Sequence, residues 1–367
     1  MLNQRVLSPR EAVRTLALYH PPLAGRIGLR LDFNENTVGC SPRVLSKLRN
    51  LDAEQLAKYP EREPVEVTVA DFLSIEPSEL LLTNGVDEAI HLLCETYLEP
   101  ADEALIVVPT YSMYRIYAMA AEAKLISVPL GEGFQFCADS VIRSITKRTR
   151  LIAIANPNNP TGTVASKDDL LAIALSAPEA AVLIDEAYFE FYGETMLRAW
   201  EKAPNIFVAR TFSKAYGLAG LRIGMLAGSA EQMSAVTRVA SPYNVNAVAL
   251  ACLPDAIGDQ SYIERYVEEI LEARVRLERS LEASGIEFWP SRANFVLMRA
   301  GPSSAEASRL VELMRQRGIL VRDRSSDPGC KGCVRITLGP REHADRLLSA
   351  LQETFDELGT ARGASRV

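Results

Sequence analysis

The chain has few of the residues that mark membrane, metal-binding and nucleic-acid-binding proteins. Its 367 residues include three histidines, two tryptophans and no long basic block, and the net charge is −7. No apolar run approaches the roughly 18 residues that a membrane span requires, and residues 1–23 lack the apolar core of a signal peptide. We therefore expect a cytoplasmic protein that binds neither nucleic acid nor a membrane.

Cysteine is also sparse, and its spacing gives little support for a metal site. Cys330 and Cys333 form a single C-x-x-C pair, while the other four cysteines are scattered. Zinc would require a second ligand pair, and none of the histidines is paired. We expect no metal and interpret the two residues as reduced thiols beside a strand, with a redox or metal role as the alternative.

Length and hydrophobic content predict two domains. Single cores stop growing near roughly 250–300 residues, and 48% of this chain is hydrophobic. We expect an N-terminal arm over residues 1–40 that joins the small domain. A large domain should follow over 41–250, and a small α+β domain over 251–367. The periodicity also predicts helices over Pro9–Leu18 and Tyr262–Ser284.

The most informative stretch is Arg210–Arg222. The apolar run Ile206–Ala209 predicts a buried strand that leads into it. A lysine at such a strand end, here Lys214, can be partly desolvated, which lowers its pKa and frees an amine for Schiff-base chemistry. Ser213 offers a hydroxyl to an anion, and Arg222 offers a forked guanidinium that suits phosphate. The alternative is a surface lysine with Arg222 in an ordinary ion pair.

Other polar residues follow predicted strands and should converge with Lys214. Asn156 and Asp185 each end an apolar run, and ligands gather outside the carboxyl ends of strands in open α/β sheets. Gly85 opens a helix whose free N–H groups can bind an anion. Tyr111 follows the strand 105–108 and can stack on a flat ring, with core packing as the alternative.

These motifs in this order resemble the fold-type I aminotransferases of class I and II, which use pyridoxal phosphate. The resemblance covers nearly the whole chain and is nearest to the histidinol-phosphate branch. It rests on Asn34-Glu35-Asn36, the Pro109–Tyr114 segment, Asn156–Gly162, Ser213-Lys214 and Arg222. It implies an α/β three-layer sandwich with a mostly parallel seven-stranded sheet, a smaller α+β domain, and a homodimer. Thr37 departs from the branch, which usually has proline there.

The resemblance also implies a role for each matching residue. Lys214 would hold the cofactor and move the substrate proton, Asp185 would keep the ring nitrogen protonated, and Tyr188 would hydrogen-bond the phenolate beside Asn156. The remaining cofactor contacts would come from Gly85, Val86, Asp87, Tyr111, Thr211, Ser213, Arg222 and, from the neighbouring subunit, Tyr59. Substrate contacts would come from Tyr19, Asn34, Arg322 and Arg335.

The implied substrates are small molecules. L-histidinol phosphate and 2-oxoglutarate would interconvert with imidazole-acetol phosphate and L-glutamate, in the reverse direction during histidine biosynthesis. The alternatives with related chemistry are an aromatic amino-acid aminotransferase and a threonine-phosphate decarboxylase. A non-catalytic cofactor-binding regulator belongs to another class, but such regulators usually carry a DNA-binding module, and the sequence has none.

Overall fold

The computed structural model describes residues 7–18 and 25–364, with side chains to residue 359, so Tyr19 lies outside the described residues. Thirteen α-helices are present in this part of the chain. They are α1 Glu11–Arg14, α2 Pro42–Arg49, α3 Ala53–Ala57, α4 Glu63–Leu73, α5 Gly85–Tyr97, α6 Ser112–Ala120, α7 Ala138–Arg143, α8 Lys167–Ser176, α9 Ala230–Thr237, α10 Ala247–Ile257, α11 Gln260–Ala283, α12 Ser304–Gln316 and α13 Arg341–Ala364.

The same residues form thirteen strands in three sheets. They are β1 Leu29–Arg30, β2 Leu80–Thr83, β3 Glu103–Val108, β4 Lys124–Pro129, β5 Thr149–Ala155, β6 Ala181–Asp185, β7 Ile206–Thr211, β8 Gly224–Ala227, β9 Phe288–Trp289, β10 Phe295–Arg299, β11 Ile319–Leu320, β12 Arg322–Asp323 and β13 Cys333–Thr337.

The large sheet has seven strands in the order β2-β8-β7-β6-β5-β3-β4. Its pairings are parallel except those of β8, which runs antiparallel to both β2 and β7. The central strands β5, β6 and β7 are buried nearly throughout, which explains their continuous apolar sequences. Helices cover both faces of the sheet, and the expected α/β fold is therefore confirmed.

A four-stranded antiparallel sheet, β12-β13-β10-β9, forms the second structural unit. The extended segment 319–323 is divided into two strands at Val321. Its first half, β11, pairs with β1 near the N-terminus, and its second half, β12, pairs with β13. This split places Arg322 opposite Arg335 in neighbouring strands.

The helices agree with the sequence patterns to different degrees. Helix α11 nearly matches the predicted span, because its apolar stripe is buried. Helix α1 is only four residues long, shorter than predicted. It buries none of its residues and has no side-chain cap, so little stabilises further turns. No helix in the described part of the chain is long and apolar enough to cross a membrane.

Candidate active site

The site forms where neighbouring strands of the large sheet end. β5, β6 and β7 are adjacent and parallel, so their carboxyl ends lie side by side. The backbone N–H of Asn156 donates to Asp185 O at 2.9 Å, and that of Glu186 donates to Ala209 O at 2.8 Å. The three strand ends that carry Asn156, Asp185 and Lys214 are thus brought together.

Lys214 lies just beyond β7, in surroundings that on balance disfavour its charge. Burial, followed by the positive charge of Arg335, lowers the pKa of Lys214 to about 8. Its Nζ donates to Phe33 O at 3.2 Å and lies 5.9 Å from the centre of the Tyr188 ring. The unprotonated amine, which a nucleophile or proton acceptor requires, is therefore far more abundant near neutral pH than it is for an ordinary lysine.

Asp185 ends the buried strand β6 without a cationic partner. No described lysine, arginine or histidine forms an ion pair with it. Its Oδ2 accepts from the Tyr114 hydroxyl at 2.5 Å, and its Oδ1 accepts from the Ala187 N–H at 3.0 Å. Burial raises the pKa of Asp185 to about 6. A buried carboxylate in this state is stabilised by any cation or protonated ring that enters the crevice.

A hydrogen-bonded chain links Tyr188 to the N-terminal segment. The Tyr188 hydroxyl accepts from Asn34 Nδ2 at 2.9 Å, and Thr337 Oγ1 donates to Asn34 Oδ1 at 3.0 Å. Asn34 is only 1% exposed and has a left-handed φ of 56°. Asn34, which is predicted to contact substrate, is therefore buried, and its side chain holds the Tyr188 hydroxyl.

The start of α5 forms a cradle with Arg222. Asn84, the residue before the helix, makes no side-chain cap, so the first N–H groups are available to an anion. Gly85 has φ +72°, and a Cβ there would lie 2.7 Å from Arg222 Nη2. Only glycine allows the guanidinium to approach so closely. Asp87 accepts from Arg222 at 3.3 Å and from the Tyr111 hydroxyl at 2.8 Å.

The remaining predicted cofactor contacts lie beside the same crevice. Thr211 and Ser213 are both buried, and the Ser213 N–H donates to Thr211 Oγ1 at 3.1 Å. Val86 is buried in the first turn of α5. The Tyr111 ring meets the Tyr114 ring edge-on, with centroids 5.8 Å apart.

The amide of Asn156, which is predicted to contact the cofactor, is held within its own loop. Both polar atoms of its amide bond the backbone of Ala165, at 2.9 and 3.2 Å, so this side chain closes the 156–165 loop. The amide that meets the opposite wall of the crevice belongs to Asn159, whose Oδ1 accepts from Arg335 Nη1 at 2.5 Å. Asn159 is the better candidate for the cofactor contact assigned to Asn156.

Three arginines line one face of the small sheet. Arg322 lies opposite Arg335, and Arg324 follows two residues later, so their side chains leave the same face. Arg335 is fixed by Asn159 and by Asp32 O at 2.7 Å, while its buried Nε has no described partner. Burial, followed by the Arg324 charge, lowers the pKa of Arg335 to about 10.

Arg322 contacts Phe33 and Arg324 pairs with Asp327. The Arg322 guanidinium lies 5.2 Å from the centre of the Phe33 ring. Arg324 forms an ion pair with Asp327, and its buried Nε also has no partner among the described residues. The three guanidiniums and the one carboxylate leave this face with a net charge of +2.

Tyr59 lies elsewhere on the surface. Its side chain is 77% exposed and stacks on Tyr243, with ring centroids 4.3 Å apart. Within this chain it contacts none of the crevice residues described above.

Sequence reasoning missed Tyr114, Asn159 and Arg324. Tyr114 follows Tyr111 by three residues on a helix start, a spacing that places the two rings near one face. Arg324 alternates with Arg322, which predicts a shared face if the segment is a strand. Nothing in the local sequence distinguishes Asn159 from Asn156.

Comparison with known proteins identifies the family. The family model of aminotransferase class I and II matches residues 26–351. The chain therefore belongs to the class I and II aminotransferases, and both the expected family and the expected enzyme class are confirmed.

Within this family, the chain is similar to several histidinol-phosphate aminotransferases. Histidinol-phosphate aminotransferase from Caldanaerobacter subterraneus subsp. tengcongensis is 36% identical over 329 residues, or 88% of this chain and 92% of that protein. The enzyme of that name from Dehalococcoides mccartyi is 33% identical, over 89% of this chain and 90% of its own. The structure of histidinol-phosphate aminotransferase from Sinorhizobium meliloti in complex with pyridoxal-5'-phosphate superposes with a TM-score of 0.87 at 26% identity, over 96% and 99% of the two chains.

Proposed function

We propose that this enzyme uses pyridoxal phosphate to exchange an amino group between L-histidinol phosphate and 2-oxoglutarate, giving imidazole-acetol phosphate and L-glutamate. In histidine biosynthesis it would run in the reverse direction. The observation that carries this proposal is the pairing of a desolvated lysine with a face of net charge +2. The two relatives named histidinol-phosphate aminotransferase support the choice of substrate.

The residues of the crevice fit pyridoxal phosphate. Lys214 provides the amine for the cofactor's aldehyde, and Asp185 provides a buried carboxylate that lacks a cation. The cradle formed by Gly85 and Arg222 suits a phosphate. When bound, this cofactor supplies an electron-withdrawing ring that stabilises the negative charge left after the substrate carbon loses a proton.

The chain's own residues would then position the substrate and move its proton. The Lys214 amine would take the proton from the substrate carbon and deliver it to the carbon of the cofactor's aldehyde, a role worth about 10²–10⁴ in rate. Tyr188, held by Asn34, can hydrogen-bond the cofactor's phenolate oxygen beside Asn159. Arg335, already fixed by two hydrogen bonds, can bind an acidic group with its free Nε.

The charge of the arginine face favours a phosphorylated substrate. A phosphate monoester carries about −1.5 to −2 at neutral pH, which matches the net charge of Arg322, Arg324, Arg335 and Asp327. The ring of an aromatic amino acid would leave these guanidiniums uncompensated. The same face can hold the side-chain carboxylate of glutamate in the other half-reaction, because guanidinium binds both anions through paired hydrogen bonds.

The test is to mix the purified, cofactor-loaded enzyme with L-histidinol phosphate or L-phenylalanine and follow the yellow absorbance of the Lys214-linked cofactor. Rapid bleaching by histidinol phosphate alone is expected. Arg322→Gln should raise the histidinol phosphate concentration that is needed for bleaching by about 10- to 100-fold. The exposed Arg309→Gln should leave it unchanged.

Other outcomes are informative. Bleaching mainly by phenylalanine would keep the aminotransferase and reject the phosphorylated substrate. The absence of a yellow form would mean that Lys214 carries no cofactor, and the proposal would fail entirely. Lys214→Ala should still bind cofactor but lose turnover.

We also infer the division into domains, the dimer and the location. Pairing of β1 with β11 supports an arm, residues 1–40, that belongs with the small domain 251–367, apart from the large domain 41–250. The exposed Tyr59–Tyr243 stack supports a homodimer in which Tyr59 reaches the neighbouring subunit's cofactor, because large exposed aromatics are typical of interfaces. Six free cysteines support a reducing cytoplasm. Sedimentation of the intact enzyme tests the dimer.

A further inference from the structure

Tyr114 is a buried tyrosine that meets the candidate site at Asp185 and Tyr111. It lies on α6, is 1% exposed, and packs its ring against Tyr111. Its hydroxyl donates to Asp185 Oδ2 at 2.5 Å, while the Ala187 N–H holds Oδ1. The carboxylate is therefore restrained at both oxygens, by one side chain and one backbone group.

The surroundings of Asp185 make this restraint important. Burial is the main cause that raises the pKa of Asp185, and the hydrogen bond from Tyr114 is the main cause that lowers it; the acidic groups Asp87 and Glu186 raise it further. Burial and the nearby Asp185 charge raise the pKa of Tyr114 well above its ordinary value. Its hydroxyl therefore stays protonated and acts towards the carboxylate as a donor. The neighbouring hydroxyl of Tyr188 is bonded to Asn34 instead.

We propose that Tyr114 is a positioning residue, whose hydroxyl keeps Asp185 ionised and fixed in rotation so that it can bind the protonated ring nitrogen of pyridoxal phosphate. This inference rests on the proposed function. The competing explanation is that Tyr114 is a core aromatic, whose hydroxyl bonds Asp185 only because both are buried. The two explanations differ in what happens when the ring stays and the oxygen is removed.

Tyr114→Phe makes that change. A hydrogen bond to a charged group would be lost, so the variant's affinity for the cofactor near neutral pH should fall by about 10- to 100-fold. The affinity should also depend differently on pH. The acidic limb, where Asp185 takes up a proton and binding weakens, should move upward by about one to two pH units.

The experiment strips the full-length enzyme of cofactor and titrates it with pyridoxal phosphate from about pH 5 to pH 8.5. The wild type, Tyr114→Phe and the control Tyr97→Phe are compared. Tyr97 also loses a hydroxyl hydrogen bond, 2.8 Å to Gln232, but at the far end of α5. The Tyr97→Phe variant should keep the wild-type affinity for pyridoxal phosphate and the wild-type position of the acidic limb. Thermal unfolding of each apoprotein reports the packing separately.

A double variant isolates the coupling. In the Asp185→Asn background, Tyr114→Phe should cause little further loss of affinity, because the carboxylate it serves is absent. An unchanged acidic limb in Tyr114→Phe, or equal losses with and without Asp185, would overturn the inference. If the wild-type protein itself binds no pyridoxal phosphate, the proposed function fails together with this inference. Normal wild-type binding with an unaffected Tyr114→Phe rejects the inference alone.

Discussion

Replacing Lys214 with methionine should stabilise the cofactor-free protein near neutral pH. The pKa of Lys214 falls from 10.5 to about 8 on folding. One pKa unit corresponds to about 1.4 kcal/mol, so the ammonium costs the folded state roughly 3 kcal/mol below that folded pKa. Methionine retains the unbranched stem without the charge. It loses the hydrogen bond to Phe33 O, worth about 1 kcal/mol. The net gain near pH 7 should be about 2 kcal/mol.

The sign of the pH dependence makes this prediction specific. Because the folded pKa lies below the unfolded value, the unfolded chain binds more protons between the two. Wild-type stability therefore rises with pH across that window. The advantage of Lys214→Met should shrink accordingly and be roughly zero near pH 10, where the remaining charge penalty equals the lost hydrogen bond.

Chemical denaturation of the cofactor-free protein at about pH 7 and about pH 10 measures the stability gain of Lys214→Met at each pH. The exposed Lys202→Met serves as the matched control and should change neither. Equal stability of the wild type and Lys214→Met at neutral pH would refute the claim that the folded protein desolvates this amine. A gain that is the same at both pH values would show that it comes from packing and not from charge.

Three further predictions concern other parts of the site and its support. Gly85→Ala should weaken cofactor affinity at least about 10-fold, because the new Cβ meets Arg222 and the positive φ is strained; a titration with pyridoxal phosphate measures this. Asn159→Ala should lower the rate of the half-reaction, whereas Asn156→Ala should mainly lower stability, by about 1–3 kcal/mol; the reverse pattern would restore the original assignment. Burial raises the pKa of Glu190 from 4.5 to about 7. Stability should therefore fall as pH rises between those values, and Glu190→Gln should stabilise above about pH 7 but not near pH 5.

Patterns in the local sequence predict much of the fold and part of the site. Continuous apolar runs that end in polar residues predict buried parallel strands, and this rule places Asn156, Asp185 and Lys214 at neighbouring strand ends. It works because the sheet must bury both of its faces, so the hydrophobic pattern alone specifies these strands. The antiparallel direction of β8 has no comparable signal, because a short buried strand reads the same in either direction.

The tertiary structure decided which polar groups meet. Asn156 and Asn159 lie in the same polar loop, and only the fold directs one amide to Ala165 and the other to Arg335. Long-range packing also buries Asn34, a predicted substrate residue, and directs its amide to the Tyr188 hydroxyl. The low pKa of Lys214 likewise depends on burial and on Arg335, 121 residues away along the chain. Sequence determines which groups are available, whereas hydrogen bonds and desolvation between distant segments determine what each one does.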